Sequence, residues 1–229
     1  MKIAIQQPNY LPWQGFFYKM ARSDIFIFLD TVQYPRRVFV HRVKIKTPKG
    51  EQWLSVPVKV KGKYFQKISE TEIQNEKDWR KEHLKTLELN YKKAKNFNYL
   101  FPEIKKILEK DWQYLSELNI ALISLLKDKL RIKTKLEIAS NFSFSGEGDD
   151  LLINICKRFG ADIYLSGKGG QKYQDEEKFK AAGIKLEYTD FIHPVYPQLW
   201  EDFIPNLSVI DLLFNCGDAS SNILLYQPK

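Results

Sequence analysis

The sequence predicts an α/β fold: a parallel, Rossmann-like sheet carrying a β-hairpin and an inserted helical segment. Three observations predict it. Two short apolar runs, residues 2–6 and 24–29, flank an apolar-faced stretch at 13–22, the spacing of a strand–helix–strand unit with a parallel crossover. After residue 133 the same rhythm returns, with apolar runs at 134–138, 161–167 and 184–188 separated by amphipathic stretches. Between these blocks, residues 40–46 and 51–60 alternate around the turn signal Thr47-Pro48-Lys49-Gly50.

Each element has a local cause. KIAIQ reads as a buried strand, and Pro8 and Pro12 then stop both strand and helix, making 7–12 a stiff loop. The stretch from Trp13 places Phe16, Phe17 and Met20 on an inner helical face. The run from Asp24 to Leu29 is apolar almost throughout, as suits a strand covered on both faces. The hairpin should bury Val43, Ile45, Trp53 and Val56 and turn a cationic face outward. From 78 to 130 the periodicity is helical. Trp79, His83, Leu87 and Tyr91 share one face, and Trp112, Leu115, Leu118 or Asn119, Leu122, Leu125 and Leu126 share another. Asn96, Asn98 and Pro102 should break this region, so residues 75–133 form a helical insertion or subdomain within a single 1–229 α/β domain. Asp149 and Asp150 open a helix whose stripe is Leu151, Leu152, Ile155 and Phe159, closed by Gly160. A helix at 174–182 ends at Gly183. In LSVIDLLFNCG, Ser208 and Asp211 have capping-box spacing and Gly217 closes the helix.

Composition narrows the classes of function. No apolar run approaches the roughly 20 residues of a membrane span, and no leader pattern precedes the first strand, so a cytoplasmic setting is expected. Cys156 lies in an apolar helical pattern and Cys216 beside Gly217, which forms neither a disulfide framework nor a metal motif. Of the net charge of +8, residues 1–135 contribute 28 Lys+Arg against 14 Asp+Glu, and residues 136–229 contribute 8 against 14. Arg80 and Arg131 are the only arginines in 43–135, where shaped phosphate recognition would favour arginine, so nucleic acid is an unfavoured partner. No motif identifies a cofactor or a metal.

Ligands of open parallel sheets bind beyond the carboxyl ends of the strands. Three polar clusters fall there: Gln6, Gln7, Asn9 and Tyr10 with Trp13; Asp30 with Gln33; and Ser166, Gly167, Lys168, Gly169 and Gly170. They are expected to converge on one rim, with Asp30 as general base or anchor and SGKGG free to adopt positive φ and hold phosphate. SGKGG lacks the spacing of a P-loop and the third glycine of a dinucleotide fingerprint. Arg42 is a further phosphate candidate. His193, in the proline-bounded DFIHPVYPQLW, is a candidate wall of the site beside Tyr196, Gln198 and Trp200. Aromatic walls with amide donors and acceptors suit a small-molecule pocket.

QPNYLPWQGFF, SDIFIFLDTVQY, HRVKIKTPKGEQWLSVPV, YLSGKGGQKY and LSVIDLLFNCG occur together in this order. The chain thereby resembles the WbqC-like family over nearly all its length, with His41-Arg42 where Asn-Arg is expected. Members stand among genes for O-antigen and other surface polysaccharides. The resemblance implies work on a nucleotide-linked amino sugar, such as acyl or aminoacyl transfer. The layout also resembles nucleotidyltransferases with a HIGH signature after their first strand. The corresponding positions read Trp13-Gln14-Gly15-Phe16-Phe17: the glycine is kept for close approach to a ligand, but both charge-stabilising histidines are gone. A rebuilt nucleotidyltransferase and a non-catalytic binding protein are the alternatives.

Overall fold

The computed structural model describes residues 1–35 and 39–226. Five strands form one parallel sheet: β1 (Lys2–Gln6), β2 (Ile25–Phe28), β5 (Lys135–Ile138), β6 (Ile163–Ser166) and β7 (Lys185–Tyr188). Their order across the sheet is β5-β2-β1-β6-β7. Strands β3 (Arg42–Thr47) and β4 (Gly50–Ser55) make a separate antiparallel hairpin. The helices are α1 (Gln14–Ala21), α2 (Trp79–Tyr91), α3 (Phe97–Leu108), α4 (Leu115–Lys129), α5 (Gly148–Arg158), α6 (Glu176–Ala181), α7 (Val209–Cys216) and α8 (Ser220–Leu225).

The two-residue period of the strands sorts side chains onto two faces. Ala4, Phe26, Phe28 and Leu165 point into the larger core, shared with α1, the hairpin, α2, α3, α4, α7 and α8. Ile3, Ile5, Ile27 and Tyr164 point to the smaller core, under α5 and α6. Cys156 lies in that second core, where burial pushes its thiol up to about 12.

Four expectations change on contact with the structure. In the hairpin, Val43 pairs with Leu54 and Lys44 with Trp53, so Leu54 is buried while Trp53 stays on the cationic face beneath Arg42, 4.3 Å from its ring centroid. The break in the helical region falls at residues 92–96, before α3, and Pro102 is accommodated inside that helix. α1, read as turning the face of Phe16, Phe17 and Met20 inward, is buried all along from Gln14 to Met20, with α8 packed against it. At α7, the Ser208 hydroxyl caps the helix by accepting from Ile210 N–H, but Asp211 does not complete the expected capping box; its carboxylate accepts from the Tyr91 and Tyr196 hydroxyls, both at 2.9 Å.

The loop 7–12 is fixed by more than its prolines. Asn119, fully buried on α4, donates to Pro8 O at 2.9 Å and Val40 O at 2.7 Å. The Ser208 hydroxyl donates to Leu11 O, and Val209 N–H to Pro12 O. Leu11 is held at φ 42° by these ties. Removing the Asn119 amide leaves two buried carbonyls without donors, each costing about 1–3 kcal/mol. Asn119→Ala is therefore expected to lower stability by about 3 kcal/mol in urea unfolding; a variant within about 0.5 kcal/mol of the parent contradicts the anchoring role.

Candidate functional site

The loops that leave β1 and β6 diverge. β1 continues through α1 on the larger-core face, and β6 continues through α6 on the other. Neighbouring parallel strands whose connections go to opposite faces leave a crevice at their carboxyl ends. A cleft of about 600 Å³ occupies this position. Gln6 and Gln7 line it from β1, Ser166, Gly167, Lys168, Gly169 and Gly170 from the end of β6, and Trp13, Gly15 and Lys19 from α1 and its start. Thr189, Phe191, Tyr173 and Gln174 complete the polar and aromatic wall.

The glycines of this rim serve two different needs. A Cβ on Gly15 would sit 2.4 Å from the Trp13 indole, which folds over it. The space that a ligand was expected to use above this glycine is filled by the protein's own ring. Gly167 and Gly169 have nothing within 4 Å of a built Cβ, so their backbone lies bare. They do not adopt the positive φ expected of them: residues 168–172 wind into a 3₁₀ turn, with Gly167 at φ −76°. Gly170 is tight instead, since a Cβ there would stand 2.3 Å from Gln174 Oε1 and 2.5 Å from Ser166 Oγ. The Trp13 ring meets Phe191 edge-on at 5.4 Å, and Phe191 also contacts Tyr18 at 5.2 Å.

Lys19 is the residue that sequence reasoning missed. It is 4% exposed, and its Nζ donates to Ile5 O at 3.0 Å and to Gln6 Oε1. Burial draws its pKa down to about 7. The lining contains two lysines, Lys19 and Lys168, and no carboxylate among the described residues. Only the run of aromatics around Lys19, which makes α1 apolar on several sides, hinted that this lysine is interior.

The remaining candidates do not line the cleft. Asp30 is 2% exposed, and its carboxylate accepts from Ser140 N–H at 2.9 Å and the Ser140 hydroxyl at 2.6 Å. It ties the end of β2 to the 3₁₀ turn after β5, because a buried carboxylate needs donors and Ser140 supplies two. Tyr10 is fully buried, with its hydroxyl 2.9 Å from His83 Nδ1, and Asn9 is buried in the same loop. Gln33 donates to Tyr64 O and borders a different hollow, formed with Tyr34, Pro35, Tyr64 and Phe65. Arg42 stays on the outer face of the hairpin over Trp53. His193 stands one layer behind the cleft: its ring meets Phe191 at 5.8 Å, Nδ1 bonds Pro194 O, and Nε2 accepts from Asn206 N–H at 3.0 Å.

Behind that wall runs a polar network with no local sequence signal. Asp211 is fully buried; burial raises its carboxyl against the tyrosine hydrogen bonds that hold it down. Tyr196 OH also receives Gln14 Nε2 at 2.9 Å and Gln198 Nε2 at 3.2 Å. Lys46, buried on β3, donates to Gln198 Oε1 at 3.0 Å and to the carbonyls of Trp200 and Asp202. The network thus fixes α1, the hairpin and the 191–206 loop against α7. Cys216 is half-buried at the end of α7, its thiol raised by burial and then by Asp211.

The Tyr10–His83 pair sets a pH dependence. Burial lowers His83 from 6.5 to about 4 in the folded protein. Between these values the unfolded chain binds a proton that the folded one excludes, so stability falls as pH falls through the window. The contribution is about 3 kcal/mol from end to end. Chemical denaturation of the wild type and of His83→Gln across this window is expected to differ by that amount, the wild type being the more acid-sensitive; parallel profiles contradict it.

Comparison with known proteins agrees with the family resemblance. The model of the WbqC-like protein family matches residues 7–223. The chain is 38% identical over 227 residues to a protein described as Uncharacterized protein Rv1507c of Mycobacterium tuberculosis (strain ATCC 25618 / H37Rv), covering 98% of each chain. No solved structure matches. With a family match spanning nearly the whole chain and a full-length relative at this identity, the protein belongs to the WbqC-like family.

Proposed function

We propose that this protein is an enzyme of surface-polysaccharide synthesis that binds a nucleotide-linked amino sugar in the cleft between β1 and β6 and transfers an acyl or aminoacyl group to the sugar amine. The observation that carries the reading is the cleft's lining: two lysines, bare glycine backbone and two glutamine amides, with no acidic side chain among the described residues. A crevice at a switch point that presents Lys168 and bare backbone and no carboxylate among the described residues favours an anionic ligand, and its volume lies within the ordinary range for small-molecule sites. In this reading the diphosphate lies against Ser166–Gly170 with Lys168, Trp13 and Phe191 offer flat apolar surface, and Gln6 and Gln7 meet the sugar's amine and hydroxyls. Asp30 takes no part, since its oxygens are held by Ser140. The nucleotidyltransferase alternative is weakened by the Trp13 indole lying over Gly15, where the signature's glycine would leave room for a triphosphate.

The test is incubation of the protein with nucleotide-linked amino sugars and acyl thioesters, read by mass spectrometry for N-acylated product, alongside calorimetry with the nucleotide sugars alone. Turnover is expected for one pair, and Lys168→Ala is expected to weaken nucleotide-sugar binding about tenfold. Binding without turnover leaves a binding protein; no binding and no turnover overturn the reading.

A further inference from the structure

A buried ammonium needs a counter-charge, and Lys19 has none in the described protein. Its two hydrogen bonds go to neutral oxygens, Ile5 O and Gln6 Oε1. An ammonium has three N–H donors, so one position of Nζ is left. The ring of Phe26 on β2 lies 6.0 Å away, offering only a weak electrostatic partner. Across the cleft stand Tyr164 and Ser166 of β6 and Lys168 and Tyr173 of the turn after it. Lys168 repels a second positive charge. The Tyr164 hydroxyl is shared with the side chains of Ser166 and Gln174, and burial keeps it protonated. Just beyond the lining residue Thr189, the Asp190 carboxylate accepts from the Tyr18 hydroxyl at 2.7 Å and keeps its charge, but the cations that hold it down are Arg22 and Lys168, not Lys19. Nothing on the rim therefore balances a charge on Lys19, while the third position of Nζ belongs to a residue that lines the cavity.

We infer that Lys19 is the inner anion subsite of the cleft and that an anionic ligand, of the phosphate or sulfate class, brings a proton onto it when it binds. Burial draws the Lys19 ammonium down to about 7, so near neutral pH little free energy is needed to charge it once an anion supplies the partner. Formally, a proton from solvent adds to the Nζ lone pair, and the resulting N–H donates to the bound oxyanion; no covalent bond is made or broken. The inference rests on the cleft being the ligand site, as proposed above, but not on the ligand being a nucleotide sugar.

The linkage has a definite sign. Below about pH 7 Lys19 is already charged, and binding takes up no proton. Above it, one proton enters per anion, and affinity falls up to about tenfold per pH unit. Sulfate serves as the probe, because its own charge is constant over this range. Calorimetric titration of the intact protein in two buffers of different ionisation enthalpy is expected to show uptake of more than about half a proton per sulfate near pH 8.5 and almost none near pH 6. Lys19→Met is expected to abolish the uptake, and Lys168→Ala to weaken binding with the uptake per sulfate unchanged. A measurement without variants is trace acetylation of Lys19, read by peptide mass spectrometry against pH. Its midpoint is expected near 7 in the empty protein and higher with saturating sulfate. No saturable sulfate binding, uptake equal at both pH values, or uptake surviving in Lys19→Met overturns the inference. Sulfate binding with proton uptake but no affinity for nucleotide sugars overturns the function proposed above and leaves this one standing.

Discussion

The divergence of chain direction around β1 is the constraint on which the rest depends. β1 sits in the middle of the sheet, paired on both sides, and its neighbours β2 and β6 are reached by connections on opposite faces. That arrangement opens a crevice at the carboxyl ends of β1 and β6 before any side chain is specified. Side chains then decide what the crevice is. Gln6 ends β1 there, Ser166 ends β6 there, and α1 brings Lys19 beneath them.

Keeping the crevice open demands rigidity around it. The loop 7–12 is bonded from α4 by Asn119, from α2 by His83 and from α7 by Ser208. Phe191 is positioned by Trp13 and Tyr18, and the segment behind it by Lys46, Gln198 and Tyr196. Much of the helical segment and the hairpin thus acts on the site at one remove. They share the larger core and hold the loops that form the cleft's wall. A polar network of this kind, once satisfied, specifies one arrangement, because breaking any member leaves a buried group without a partner.

The sheet was legible because its signals are local. Apolar runs of four or five residues ending in polar clusters marked β1, β2 and β6 and the rim, and Thr47–Gly50 marked the hairpin. What escaped depended on distant partners. Tyr10 looked like a binding wall because nothing nearby shows that His83, 73 residues away, takes its hydroxyl. Asp30 looked catalytic because Ser140 is far along the chain. Asp211 had the spacing of a cap, yet its partners, Tyr91 and Tyr196, come from α2 and the loop before α7. Alternation alone does not fix which face of the hairpin Trp53 takes; the Val43–Leu54 pairing does. Lys19 likewise depends on partners outside its own helix. A lysine on a short helix reads as solvent-facing, whereas Lys19 turns toward the sheet, onto Ile5 O, Gln6 Oε1 and the face of Phe26.

The crevice between β1 and β6 is proposed as the place where this protein meets an anionic small molecule. A crystal structure of the protein soaked with a nucleotide-linked amino sugar tests it most directly. Density is expected between Gln7 and Gly167, with the phosphates nearest Lys168 and Lys19. Density confined to the hollow of Gln33, Tyr64 and Phe65, or an empty crevice in a crystal whose ligand is bound elsewhere, would contradict it.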